Sequence, residues 1–206
     1  MNDTQAAHRA FLNRYYAFSR PFYDATRKYY LLGRDATIRS LASDVGWQRL
    51  VEIGPGTGRN LTLLHRARPD AVLGGIEASD EMLDHAKARC PWATLEHGFA
   101  EDARVGALLG EPPHRVLFSY CLSMVRDPER AIANARRSLA VGGQVVVVDF
   151  GDLTGLPAIV ARGFRAYLHA FHVQPLGDKI LADATDRHDG PGHYYVVARF
   201  GESRKG

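Results

Sequence analysis

The sequence predicts an α/β fold, a mostly parallel sheet with helices on both faces. Three observations carry that prediction. From residue 47 onward, short apolar runs alternate with helical stretches, the pattern of strands joined by crossover helices. A glycine-rich turn follows the first of those runs directly, where open α/β sheets place a ligand-binding loop. The length of 206 residues, with 46% hydrophobic and 24% charged content, suits one ordinary globular domain. The expected organisation is a single domain over 1–206, with 1–46 as an N-terminal helical lid facing a membrane and 47–206 as the sheet-bearing core.

The elements follow in order. Residues 5–20 read as a helix stopped by Pro21, with Phe11, Tyr15, Phe18 and Phe22 at helical offsets. Residues 35–44 read as a second helix closed by Gly46. Strands are expected at 49–53 (RLVEI), 72–77 (VLGGIE), 93–96 (ATLE), 115–120 (RVLFSY) and 144–150 (QVVVVDF). Helices are expected between them at 58–68, 80–89, 102–109 and 128–140. Asp127-Pro128 marks a helix start, an N-cap followed by proline at the first helical position. A further helix runs from Leu156 to about His172, and the alternating run His193–Phe200 reads as a last strand. No internal repeat or low-complexity linker interrupts this series.

Composition excludes several classes. No run of 18 apolar residues exists to cross a membrane as a helix, and the first residues lack an apolar signal core. Cys90 and Cys121 are two, without ligand spacing. They predict a reducing cytoplasm, no metal site and structural thiols. Charge is less even. Residues 1–40 hold Arg9, Arg14, Arg20, Arg27, Lys28, Arg34 and Arg39 against Asp3, Asp24 and Asp35, interleaved with eight aromatics. That mixture suits an anionic membrane surface better than nucleic acid.

The chemistry is concentrated in the acids and one loop. Glu52 closes the first strand, Glu77 the second and Asp149 the fifth. A carboxylate in a buried strand is costly unless something answers it, and ligands bind at the carboxyl ends of such strands. Glu52, Glu77 and Asp149 are therefore expected along one crevice, against the alternative that each caps a neighbouring loop. The loop is Glu52-Ile53-Gly54-Pro55-Gly56-Thr57-Gly58-Arg59-Asn60. Dinucleotide enzymes use G-x-G-x-x-G to seat a pyrophosphate; here the spacing is G-x-G-x-G with an acid just before it. An anion would be repelled by Glu52 and an ammonium attracted, which favours a nucleoside bearing an amino acid.

Glu52 to Gly58 resembles the first motif of class I S-adenosylmethionine methyltransferases, and the resemblance extends over most of the chain. It implies a Rossmann-like sheet of seven strands, the last antiparallel and matched by 193–200, with the sixth unassigned. Glu77 resembles the acid that holds both ribose hydroxyls, and Met82 lies where an apolar side chain packs on adenine. Gly98-Phe99-Ala100-Glu101-Asp102 matches the adenine-binding turn, with Phe99 in place of the usual Asp, so Glu101 or Asp102 stands in for it. Leu139-Ala140-Val141-Gly142-Gly143 matches the turn before the fifth strand. The resemblance thus assigns S-adenosyl-L-methionine to Glu52, Gly54, Pro55, Gly56, Gly58, Asn60, Glu77, Ala78, Ser79, Met82, Phe99, Ala100, Glu101 and Ser119.

For the methyl acceptor, Phe22-Tyr23-Asp24-Ala25-Thr26-Arg27-Lys28-Tyr29-Tyr30-Leu31-Leu32-Gly33-Arg34-Asp35 is similar to a segment of bacterial betaine-lipid N-methyltransferases. Phe118–Met124 and Phe171–Pro175 are similar to further segments, although Gln174-Pro175-Leu176 departs from their pattern. The resemblance implies methylation of diacylglyceryl-homoserine to the trimethylated betaine lipid, at the cytoplasmic face of the membrane. Tyr23 and Tyr120 would be catalytic; Arg27, Tyr29, Tyr30, Arg34, Asp149 and His172 would bind substrate. Aromatics suit a quaternary ammonium product, and Arg34 or Arg27 could hold the homoserine carboxylate. Two alternatives stay open: a phosphatidylethanolamine N-methyltransferase, and a catalytically silent S-adenosylmethionine-binding membrane protein. A nucleic-acid acceptor is disfavoured, because no Asn-Pro-Pro-Tyr-type run follows the fourth strand.

Overall fold

The computed structural model describes residues 31–201. The helix expected over 5–20 lies outside them, as do Tyr23, Arg27, Tyr29 and Tyr30. Seven strands form one sheet: β1 (Arg49–Ile53), β2 (Val72–Glu77), β3 (Thr94–His97), β4 (Arg115–Ser119), β5 (Gln144–Phe150), β6 (Asp186–Asp189) and β7 (Tyr195–Gly201). Their order is β3-β2-β1-β4-β5-β7-β6. Strands β1 to β5 pair in parallel; β7 runs antiparallel to both β5 and β6. This is the Rossmann-like arrangement that the resemblance implies.

The near-continuous apolar runs of β1, β4 and β5 are explained by burial on both faces. Val51, Ile53, Phe118, Val145 and Val147 pack with Ala131, Ile132 and Ala135 of α4 (Pro128–Arg137). Leu50, Leu117 and Val146 point to the other face. There they meet Ile38 and Leu41 of α1 (Arg34–Ser43), Leu61 and Leu64 of α2 (Arg59–Ala67), and Leu83 and Ala86 of α3 (Asp80–Arg89). A third cluster joins Val148, Phe150 and Tyr120 to Ala161 and Leu168 of α5 (Ala158–Ala170). Since Val146, Val148 and Phe150 share one face of β5 by alternation, α5 covers the carboxyl end of that strand.

Local signals set the helix limits. Asp127 caps α4 by accepting from the Arg130 amide at 3.0 Å, with Pro128 in the first turn. After α1, Asp44 accepts from the Gly46 amide at 2.8 Å, and the Trp47 indole donates to the Leu41 carbonyl at 2.8 Å. Two expectations need correction. The stretch 102–109 holds only a short 3₁₀ turn at Val105–Ala107. Gly106 and Gly110 weaken a helix there, and Val105 and Leu108 anchor the chain to the core without one. The last strand starts at Tyr195, because Pro191–His193 forms a 3₁₀ turn with Gly192 at φ 65°. The sixth strand, Asp-Arg-His-Asp, is a polar edge strand held by its ladder to β7, and the like of it carries no apolar signature to read.

Candidate active site

The parallel strands reverse direction of addition at β1, which has β2 on one side and β4 on the other. A cleft opens there, at the carboxyl ends of these strands, where the fold class binds its ligands. Its floor is Glu52, Ile53 and the loop Gly54–Thr57. One side is Ile76, Glu77, Ala78 and Gly98–Glu101, and the other Ser119, Tyr120, Cys121, Met124 and Val125. Leu31 and Arg34 close it from the start of α1.

The loop can turn there only because of its glycines. Gly54 and Gly58 sit at φ 66° and 78°, and Cβ atoms on them would lie 2.5 Å from the Cys121 sulfur and 2.8 Å from the Cys90 sulfur. Both cysteines are thus packing partners of the loop. Glu77 fastens its crest, accepting from the Gly56 amide at 3.0 Å and from the Ser79 amide at 3.0 Å. Arg59 opens α2 with a paired contact to the Asp35 carboxylate at 2.8 and 3.1 Å. That contact ties α2 to the helix that brings Arg34 to the cleft.

Glu52 is 1% exposed. Its Oε1 accepts from the Asn60 amide nitrogen at 2.7 Å. Burial, with Glu77 nearby as a second cause, pushes its pKa up to about 8. Among the described residues, Glu52 Oε2, Asn60 Oδ1 and Ser119 Oγ are buried without a hydrogen-bond partner, and all three residues line the cleft. Buried polar atoms are normally satisfied. Two bare acceptors beside a carboxylate suit a donor-rich cation, and the ammonium of S-adenosylmethionine is such a group. The residues present therefore fit the cofactor: Glu52 and Asn60 would hold its amino-acid end, and, as the resemblance implies, Glu77 would take the ribose and Phe99 to Glu101 the base.

The remaining expectations divide. Gly54, Pro55, Gly56, Ala78, Phe99, Ala100, Glu101, Ser119, Tyr120 and Arg34 all line the cleft as expected. Gly58, Ser79 and Met82 do not line it. Gly58 is the N-cap of α2 and Ser79 that of α3, accepting from the Met82 amide, and Met82 is buried inside α3. Asp149 is also off the cleft. It is wholly buried and accepts from the Ser123 and Phe150 amides at 3.0 and 2.8 Å. It thereby positions the turn that carries Cys121 and Met124, so the loop-capping alternative holds for this acid. His172 is exposed at φ 55° and outside the lining. Tyr120 is a wall: its hydroxyl donates to the Leu32 carbonyl, its ring packs edge-on against Phe150, and burial pushes its ionisation far up. Sequence reasoning did not assign Leu31, Ile53, Thr57, Ile76, Gly98, Cys121, Met124 and Val125 to the site, which are apolar or loop residues without a chemical signature, nor Arg59, whose guanidinium is engaged with Asp35.

Comparison with known proteins gives the same reading. The model of a methyltransferase domain matches residues 14–178. The chain is 29% identical over 166 residues to a ubiquinone/menaquinone biosynthesis C-methyltransferase of Desulfotalea psychrophila, covering 78% of this chain and 65% of that one. It is 32% identical over 123 residues to a phosphatidylethanolamine N-methyltransferase of Cereibacter sphaeroides, covering 55% and 59%. The chain thus spans about six-tenths of the length of these curated relatives. An S-adenosylmethionine-dependent methyltransferase of Thermotoga maritima, 19% identical, shares the fold with a TM-score of 0.70 over 95% of this chain and 100% of its own. With the domain match covering most of its length and the cleft fitted to a cationic nucleoside, the chain belongs to the class I S-adenosylmethionine-dependent methyltransferases, and S-adenosyl-L-methionine is its cofactor.

Proposed function

We propose that this chain is an N-methyltransferase acting on the amine of a glycerolipid headgroup, with diacylglyceryl-homoserine as its acceptor. The proposal rests on Arg34, which is 7% exposed, donates from Nε to the Asp35 carboxylate at 3.4 Å and lines the cleft together with the apolar residues Leu31, Tyr120, Met124 and Val125. A guanidinium at an apolar wall suits an anion, and the homoserine headgroup carries a carboxylate on the carbon that bears its amine. The similarity of the segment 22–35 to betaine-lipid enzymes supports this reading. So does the phosphatidylethanolamine N-methyltransferase relative, which also favours that lipid as a second reading.

When bound, the cofactor would supply a methyl group to the amine lone pair in line, the C–S bond breaking as the N–C bond forms and the neutral thioether leaving. The chain's part is alignment. Glu52 and Glu77 fix the donor, and Arg34 orients the headgroup. Tyr120 and Met124 exclude water; the acceptor roles expected for Tyr23, Arg27, Tyr29 and Tyr30 fall outside the described residues. With the Tyr120 hydroxyl held by Leu32, the amine proton is left to water or to Tyr23. On this reading the reaction runs at the inner face of the membrane that holds the lipid.

The test offers diacylglyceryl-homoserine and phosphatidylethanolamine in matched micelles and counts methyl groups transferred to each. We expect the first to be trimethylated. Arg34→Ala should raise its KM by roughly 10- to 100-fold, the loss of a charged hydrogen bond, while the KM for S-adenosylmethionine holds. Methylation of phosphatidylethanolamine alone would transfer the proposal to the second reading. A KM effect on the cofactor alone would move Arg34 to the donor side.

A further inference from the structure

Helix α5 exposes more apolar surface than its role in the core explains. Ala161 and Leu168 are its buried stripe. On the far side Ile159, Val160 and Tyr167 are 79%, 51% and 47% exposed. Helical geometry sorts that outer side into two stripes. Ile159, Gly163, Ala166 and Ala170 follow at offsets of four, seven and eleven, flanked by Val160 and Tyr167. Arg162, Arg165 and His169 follow at offsets of three and seven along the adjacent edge. From Leu153 to Gly177 the chain has no Asp or Glu, although it has 23 in all. An exposed apolar strip bordered by a basic stripe is the surface of a helix that lies in a membrane interface.

We infer that α5 docks this protein on an anionic lipid surface, with Ile159, Val160 and Tyr167 at the acyl boundary and Arg162 at the headgroup phosphates. Two further observations favour lipid as the occupant. The cluster beneath α5 includes Leu31 and Tyr120, with Met124 packed against it, and these three residues also line the cleft. A surface held by α5 therefore lies beside the acceptor end of the site. A second copy of the chain is a poor match, because a two-fold contact through this face would oppose Arg162 and Arg165 to themselves with no acid in the segment to answer them. Arg165 is partly engaged, donating to the Asp152 carbonyl at 2.6 Å, so the test uses Arg162.

The inference deepens the reading of an enzyme that works on a membrane, and its test does not depend on the acceptor. The full chain is sedimented with phosphatidylglycerol vesicles and with phosphatidylcholine vesicles, neither of which offers a methylatable amine. We expect binding to the first that falls with salt. The double variant Ile159→Glu, Val160→Glu should partition roughly tenfold less, and Arg162→Glu several-fold less, both with unchanged melting temperature and S-adenosylhomocysteine affinity. Ile159→Trp should shift its emission to the blue on phosphatidylglycerol vesicles. Native-like partitioning of the double variant, or a tryptophan at 159 blind to vesicles, overturns the inference. So does a dimer in sedimentation velocity that the double variant abolishes, since the face would then belong to a second copy. If neither lipid is methylated in the micelle assay but the vesicle results hold, the acceptor reading fails and the docking surface stands.

Discussion

A carboxylate that is 1% exposed at the end of a β-strand is held neutral by its surroundings until a cation reaches it. Glu52 is in that position, with its pKa raised from 4.5 to about 8. The sign follows from linkage. A folded-state pKa above the unfolded value gives stability that is full below pH 4.5 and is lost as pH rises through 8. Glu52→Gln removes that loss. The ligand-free variant should be more stable than the native chain at pH 7 by on the order of 2–3 kcal/mol, roughly 5 °C in melting temperature, with the gap closing toward pH 5. The same change should abolish tight cofactor binding. A thermal melt series from pH 5 to 8 checks the first half, and equal melting curves at every pH would mean that Glu52 is not strained by burial. Glu52 and Glu77 were legible in the sequence because acids that end apolar strands are improbable without a ligand. Asp149 has the same local signature, and only the structure shows that backbone amides of Ser123 and Phe150 satisfy it.

At the scale of elements, the glycine loop joins strand to helix and the donor site to the core. Gly54→Ala forces a side chain into φ 66° and against the Cys121 sulfur, 2.5 Å away. Gly142→Ala meets the same kind of backbone, φ 74°, with nothing within 4 Å. The second change should cost about 1–2 kcal/mol of stability, the left-handed penalty alone. The first should cost more and weaken S-adenosylhomocysteine binding as well, while Gly142→Ala leaves binding intact. Chemical denaturation with calorimetry on the two variants separates these effects, and identical losses in both would remove Cys121 as the loop's packing partner. Elements with periodic apolar residues were legible here: β1, β2, β4, β5 and α4 agree closely with the sequence reading. Strand β6 was not, since pairing with β7 rather than any burial of its own side chains makes Asp186–Asp189 a strand. Nor was the absence of a helix at 102–109, where packing of Val105 and Leu108 overrides local pattern.

Across the whole molecule, the strand order puts Glu52, Glu77 and Ser119 at one switch point although 67 positions separate the first from the last in sequence. The order was implied by the family resemblance, while the arrival of Arg34 from α1 depends on the Asp35–Arg59 contact, which no motif announces. This cleft receives S-adenosylmethionine through a carboxylate that must ionise to hold it. Binding at pH 7 should therefore release close to one proton per site, since Glu52 is mostly protonated before the ammonium arrives and ionised after. Calorimetric titration of S-adenosylhomocysteine at pH 7 in buffers of different ionisation enthalpy reads that number directly. We predict micromolar or tighter binding with proton release in the native chain and neither in Glu52→Gln; binding without proton release, or binding that Glu52→Gln retains, would show that an ionising Glu52 does not hold the ligand.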